Sequence, residues 1–201
     1  MSSALKTLPI TKEVIMNIQS ITTAIKVGNF VLNTGTSKAR LRVQYENLPK
    51  QVLTDDAGRV YILSVDDEVM KIGGSVCKGG IKSTLNFYNS GNTGRPSIRS
   101  FGINQLVWER LIEGKQVSIH MITSKQVTAP VNGLFASEDI DISAFKEMEE
   151  KCVSDYVSIE GKFPEWNYKE AGKAWEQYIQ EEHAAILTKS AKGWQIFQPS
   201  I

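Results

Sequence analysis

Val60-Tyr61-Ile62-Leu63-Ser64-Val65, then Asp66-Asp67-Glu68, then Val69-Met70-Lys71-Ile72-Gly73 is the stretch that decides the fold. A β-rich run, an acidic turn and a returning run predict an antiparallel hairpin. With the three acidic residues as the loop, Leu63 faces Lys71 and Tyr61 faces Gly73. Tyr61 and Lys71 then share a face as diagonal neighbours, about 7–8 Å apart at Cα and within reach of two long side chains. A two-residue loop alone puts them on opposite faces, because a one-residue slip reverses every side chain.

Outward from the hairpin, the spacing predicts a short helix over Ile81 to Tyr88 and a longer one over Ser97 to Glu113, stopped by Gly114. A third strand follows over Val117 to Ile122, then a helix from Ile142 to about Tyr156 and a last helix from Tyr168 to Leu187. Before the hairpin, Thr11 caps an expected amphipathic helix with Val14, Ile15, Ile18, Ile21 and Ile25, stopped by Gly28, and Leu41 to Tyr45 alternates. The expected class is α+β: a small antiparallel three-stranded sheet flanked by helices, with helical additions at both ends. Residues 1–58 are expected to form the N-terminal addition, 59–167 the core and 168–201 the C-terminal extension, all in one compact unit.

The 201 residues, 41% apolar and 22% charged, suffice for one substantial core and exclude a disordered chain. Cys77 and Cys152 are too few for a disulfide framework and lack zinc-ligand spacing. No apolar run approaches the ~20 residues that span a bilayer, so a reduced, cytoplasmic protein without a membrane is expected. The net charge of +1 averages opposites. Val69 to Lys125 carries eight basic and two acidic residues, or +6, whereas Glu138 to Glu182 carries thirteen acidic residues and five lysines, or −8. Such a division suits a polyanion lying on cations beside carboxylates that hold a metal, or helix faces that pair within the fold.

One acidic residue is out of phase with solvent. Phe145, Met148, Cys152 and Tyr156 form an apolar stripe at helical spacing, and Glu149 falls on it while Glu147 and Glu150 point elsewhere. A carboxylate aimed at the core side needs a cation, a metal or hydrogen bonds, unless it reaches past the stripe to water.

Together these segments resemble the GIY-YIG nucleases, which open with a hairpin carrying Gly-Ile-Tyr on one strand and Tyr-Ile-Gly on the next. Val60-Tyr61-Ile62 and Lys71-Ile72-Gly73 are similar to that pair. Lys82, the Ser97–Glu113 helix, the Val117–Ile122 strand, Glu149 and Pro164-Glu165-Trp166-Asn167 follow in the family's order. Three positions depart from it: Arg59 stands where glycine is usual, Lys71 where the second tyrosine is expected, and Lys82 where arginine is common. The lysine in the second motif resembles the family's divergent restriction-endonuclease branch.

The resemblance implies a metal-dependent endonuclease acting on double-stranded DNA. Tyr61 would be the general base or orient the water, Lys71 would favour its phenolate, and Lys82 or Arg99 would clamp the phosphate. Tyr88 would hydrogen-bond the phosphate, and Glu149 would hold one Mg²⁺ facing the leaving oxygen. Arg95, Arg99 and Lys78 are expected to contact DNA phosphates, and Asn104 belongs to a set of amides suited to base edges. A palindromic target matches a homodimer, as in type II restriction enzymes.

Two alternatives remain at this point. A non-catalytic DNA-binding protein would use Arg95, Arg99, Arg110 and Lys115 on phosphates. A PD-(D/E)xK nuclease would use Asp141, Glu149 and Lys151, but needs its E-x-K string on a strand, whereas this one has helical spacing. Gly74 to Gly80 nearly matches a phosphate-binding loop, yet Lys82-Ser83 comes two positions late.

Overall fold

The computed structural model describes residues 16–123 and 127–195. Its centre is a five-stranded antiparallel sheet rather than the expected three strands. In chain order these are β1 (Ile25–Leu32), β2 (Leu41–Tyr45), β3 (Arg59–Val65), β4 (Glu68–Ser75) and β5 (Val117–Thr123), arranged spatially as β2-β1-β5-β3-β4. The two additional strands come from the segment before the hairpin. There the expected amphipathic helix is replaced by a single 3-10 turn, Ile18–Ser20, and β1. Thr11, Val14 and Ile15 lie outside the described residues. Isoleucine and valine at helical spacing also suit a strand, and here pairing against β5 decides. Gly28 sits within β1, not at a helix end. A β-carbon there would meet the Gln44 carbonyl oxygen at 2.3 Å, so the close approach of β2 requires glycine.

Helices cover both faces. On one side stand α2 (Gly80–Asn89), α3 (Ile98–Ile112) and α5 (Gln177–Gln195), enclosing the larger core of Phe30, Leu63, Ile81, Leu85, Phe101, Ile103 and Ile119. On the other lies α4 (Phe145–Glu160), packed through Met148, Cys152 and Tyr156 on Val60, Ile62, Val69 and Ile72. Covered on both sides, β3 is buried along its whole length, which explains its unbroken apolar run. A five-residue helix, α1 (Lys50–Thr54), precedes β3.

The expected last helix begins later than its spacing suggests. Tyr168 and Trp175 lie in the preceding loop, their rings stacked 4.2 Å apart, and the helix runs over Gln177–Gln195. Ile142 likewise belongs not to α4 but to β7 (Ser137–Ile142), which pairs with β6 (Val127–Asn132) in a separate two-stranded ribbon that the sequence did not suggest.

The β3–β4 hairpin reaches the expected facing pairs by an unexpected route. Its loop is the two residues Asp66-Asp67, both with positive φ (46° and 69°), the backbone that a tight hairpin turn demands. Alone, that loop would reverse Tyr61 relative to Lys71. A bulge corrects it: Leu63 pairs with Lys71 but Ser64 with Val69, leaving Met70 as the extra residue. Tyr61 therefore faces Gly73, and Tyr61 and Lys71 share the face toward α2 and α3.

Candidate functional site

The site grows from edge strand β4. Burial and neighbours fix Tyr61: its hydroxyl lies 2.6 Å from that of Tyr88 on α2, and Arg99 on α3 donates to it at 3.1 Å. The two rings meet edge to face at 6.0 Å between centroids. These residues, with Gly74, Ser75, Thr84, Phe87 and Ser100, line a cavity of about 220 Å³. Ser75 and Thr84 share a 2.8 Å hydrogen bond that ties β4 to the start of α2.

Consecutive glycines make room for two functional side chains. A β-carbon on Gly73 would come within 2.4 Å of the Tyr61 hydroxyl, and one on Gly74 within 2.4 Å of a Glu149 carboxylate oxygen. Successive strand residues point to opposite faces, so Tyr61 and Glu149 occupy the two sides of β4 one residue apart. Glu149 is partly buried, whereas Glu147 and Glu150 are exposed, as the helical phase of α4 requires. It also lines a second cavity, of about 660 Å³, with Val153, Phe163, Lys169 and Glu170.

Lys71 is 2% exposed, and its ammonium donates to the Trp166 carbonyl at 3.5 Å. The loop that supplies this carbonyl is pinned to the edge of β4. Trp166 N–H donates to Met70, Asn167 accepts from Ile72 N–H at 2.9 Å, and the Asn167 amide donates to the Ile72 carbonyl at 2.8 Å. Burial, with the positive charge of Arg99, lowers the Lys71 pKa to about 8 despite the opposing fields of Glu170 and Glu149. Burial and then Tyr88 raise the Tyr61 pKa well above its ordinary value, while Arg99 opposes them. The cation that touches the Tyr61 hydroxyl is therefore Arg99, although the sequence pairing put Lys71 in that role.

Several other candidates lie elsewhere. Lys82 points its ammonium over the Tyr45 ring, 5.2 Å from the centroid. With Lys78 it lines a neighbouring cavity of about 570 Å³ that includes Asn86 and Phe87. Asn104 is fully buried: its amide donates to the Tyr88 carbonyl at 2.6 Å and its oxygen accepts from Arg40 Nε at 2.6 Å. It fixes the chain at Tyr88 and does not present an edge to a base, which corrects the expectation. Arg95 is exposed in the turn before α3. Arg110 is engaged by Glu113 and Glu165, and Lys115 by Asp66. The E-x-K string lies within α4, and Lys151 pairs with Asp155 one turn on, so Asp141, Glu149 and Lys151 do not assemble.

Sequence reasoning missed Glu170 and Arg40. Glu170 falls within the expected Tyr168–Leu187 helix but stands in the loop before Gln177, where it lines the cavity beside Glu149. Arg40 binds Asn104 and Gln105 while its guanidinium lies 4.8 Å from the Trp108 ring centroid. The departure at Arg59 also has a structural cause. Its buried guanidinium donates to the carbonyls of Asp55, Ala57 and Cys77, gathering the loops on either side of the hairpin.

The donor set bears on metal binding. Among the described residues no group of three or more His, Cys, Asp or Glu side chains is placed to hold an ion. Mg²⁺ is commonly held by one or two carboxylates, with waters and substrate phosphates completing its shell. Glu149 fits that kind of site and does not fit a cage made only of protein.

No protein-family model and no curated protein matches the sequence. Among solved structures, the chain is similar to a mutant of bacteriophage T4 EndoII, at 15% identity and TM-score 0.49 over 75% of this chain and 98% of that one. It is also similar to the restriction endonuclease HPY188I in complex with product DNA, at 18% identity and TM-score 0.44 over 75% and 85% of the two chains.

Proposed function

We propose that the protein is a metal-dependent endonuclease of the GIY-YIG kind that hydrolyses phosphodiester bonds in duplex DNA, acting as a type II restriction enzyme and a homodimer. The observation that carries this reading is the cluster at β4: a buried tyrosine hydroxyl between Tyr88 and Arg99, with Glu149 one residue away across the strand. Hydrolysis of a phosphodiester needs a proton acceptor for the attacking water, positive charge for the phosphate oxygens and help for the leaving 3′ oxygen.

Tyr61 accepts or relays the proton of the water. Arg99 faces the phosphate and favours the phenolate as it does so, with Arg95 on the approach. Tyr88 holds the hydroxyl in place and gives the phosphate a further hydrogen bond. Lys71, screened from solvent beneath the loop of Trp166, adds positive charge at the base of the site. Glu149 would hold Mg²⁺, which when bound supplies positive charge for the leaving oxygen. Lys78 and Lys82, a cavity away, have no part in the chemistry.

Incubation of the purified protein with supercoiled plasmid and Mg²⁺, followed by mapping of the ends, tests the activity. Discrete cuts that disappear with a chelator are expected. Intact plasmid with both Mg²⁺ and Mn²⁺, alongside retained DNA binding, would favour the non-catalytic alternative, in which Arg95 and Arg99 only hold phosphates.

A further inference from the structure

The β6–β7 ribbon has no role in the site described so far. Its tip carries Leu134 and Phe135, 94% and 98% exposed, and Val127, Ile140 and Ile142 are exposed along its length. Both strands are exposed almost throughout, and the pairing between them is the principal contact either one makes. A lone two-stranded hairpin is marginal in water, and two adjacent large apolar side chains at a tip are costly to leave bare. From Val127 to Ile142 the ribbon carries Glu138, Asp139 and Asp141 and no basic residue, a net charge of −3. That charge opposes a DNA surface, where such an arm would need cations.

A complementary surface exists on the same chain. The cavity beside α2 holds two exposed lysines, Lys78 and Lys82, and no carboxylate, with Tyr45 and the 58% exposed Phe87 supplying aromatic surface. It is large enough, at about 570 Å³, to admit apolar side chains. We infer that the β6–β7 ribbon is a dimerisation arm: Leu134 and Phe135 of one copy enter the Tyr45–Phe87 cavity of a second copy, while Glu138 and Asp139, the carboxylates nearest the tip and on opposite faces of the ribbon, meet Lys78 and Lys82 on either side of it. Exchange of two such arms is reciprocal and closes on itself, as a two-fold dimer requires. The inference rests on the homodimer part of the proposed function and is independent of whether the protein cleaves DNA.

Sedimentation of the full chain without DNA tests it, with thermal melting as a control for folding. The wild type is expected to be dimeric at micromolar concentration. The double variant Leu134→Asp, Phe135→Asp is expected to be monomeric and folded, with a cooperative melt whose midpoint, unlike that of the wild type, does not rise with protein concentration. Lys78→Glu with Lys82→Glu is expected to be monomeric too, and mixing it with Glu138→Lys, Asp139→Lys is expected to restore dimers, one interface keeping the original charge pairing and the other reversing it. A monomeric wild type, or a dimer indifferent to the tip variants, overturns the inference. So does a tip variant that stays dimeric and loses only DNA affinity, which would make the tip a wedge between bases. Plasmid cleavage by a wild-type monomer would remove the arm and leave the nuclease standing.

Discussion

At Gly73 the space of a β-carbon is filled by the Tyr61 hydroxyl, and at Gly74 by the Glu149 carboxylate. The two neighbours differ in how they can yield. The Tyr61 ring is buried and held by two hydrogen bonds, whereas a carboxylate is the end of a flexible side chain. Gly73→Ala is therefore expected to cost about 1–3 kcal/mol of stability, as overpacking does, and to lose activity. Gly74→Ala displaces the flexible carboxylate and also presses the Phe145 ring, 3.0 Å from the added carbon, so it is expected to cost less stability than Gly73→Ala and still cut poorly; denaturant melts and cleavage rates on the two variants check the contrast. Tyr61→Phe keeps the packed ring and removes the hydroxyl, so it should melt near the wild type and cut at least ~10²-fold more slowly. Wild-type cleavage by this variant would mean that the ring only packs. Lys71 gives a pH signature. Its folded pKa of about 8 lies below the ordinary 10.5. The unfolded chain thus holds the extra proton between those values, and the cost of burying the ammonium is full below about pH 8 and relieved as pH rises toward 10.5. Lys71→Met removes that cost, worth about 3 kcal/mol at ~1.4 kcal/mol per pKa unit. The variant should gain stability over the wild type below pH 8 and lose this advantage by pH 10.5, even as its cleavage falls; parallel melts at several pH values measure the difference.

At the scale of elements, the site depends on β4 keeping its register and its edge. The facing pairs of the hairpin were legible in the sequence, but through a three-residue loop. The molecule instead combines a two-residue Asp66-Asp67 turn with a bulge at Met70, and the two differences cancel. Deleting Met70 removes only the extra residue and leaves Ser64 opposite Val69 and Leu63 opposite Lys71, so the facing pairs and cleavage are expected to survive, while the melting temperature falls with the loss of the buried Met70 side chain and of its carbonyl's bond from Trp166. The free edge is closed by Asn167, whose amide bonds both backbone groups of Ile72. Asn167→Ala leaves a buried N–H and C=O without these partners, a loss of about 1–3 kcal/mol for each unsatisfied group. Hydrogen exchange at the Ile72 amide is expected to quicken while that at Ile62, within β3, changes little. Equal acceleration at both would show that the loop holds the sheet as a whole and not its edge. The helical phase that separated Glu149 from Glu147 and Glu150 was also readable, because α4 lies on the sheet along a single apolar stripe. The β6–β7 ribbon was not: Pro130 and the acidic run at Glu138 to Asp141 argue against strands, and no core pattern marks a segment that packs on none.

Across the whole molecule, local pattern identified elements and could not identify neighbours. Leu41 to Tyr45 read as alternating and is a strand, yet nothing in it shows that β1 stands between it and β5. Arg99 was one of two cations that the sequence offered for the phosphate. Only the packing of α3 beside α2 brings it to Tyr61 while Lys82 turns to Tyr45. Asn104 read as a surface amide because helix spacing does not show that Arg40, 64 residues away, arrives to bind it. The carboxylate is the point at which sequence phase, strand geometry and proposed chemistry converge, so the decisive measurement is made there. Cleavage and DNA affinity should be compared for Glu149→Gln and Glu150→Gln in the same buffer with Mg²⁺. Abolished cleavage with equal or tighter DNA binding is expected for Glu149→Gln, since a negative charge near phosphates is removed, and near wild-type cutting for Glu150→Gln. Full cleavage by Glu149→Gln would contradict the account.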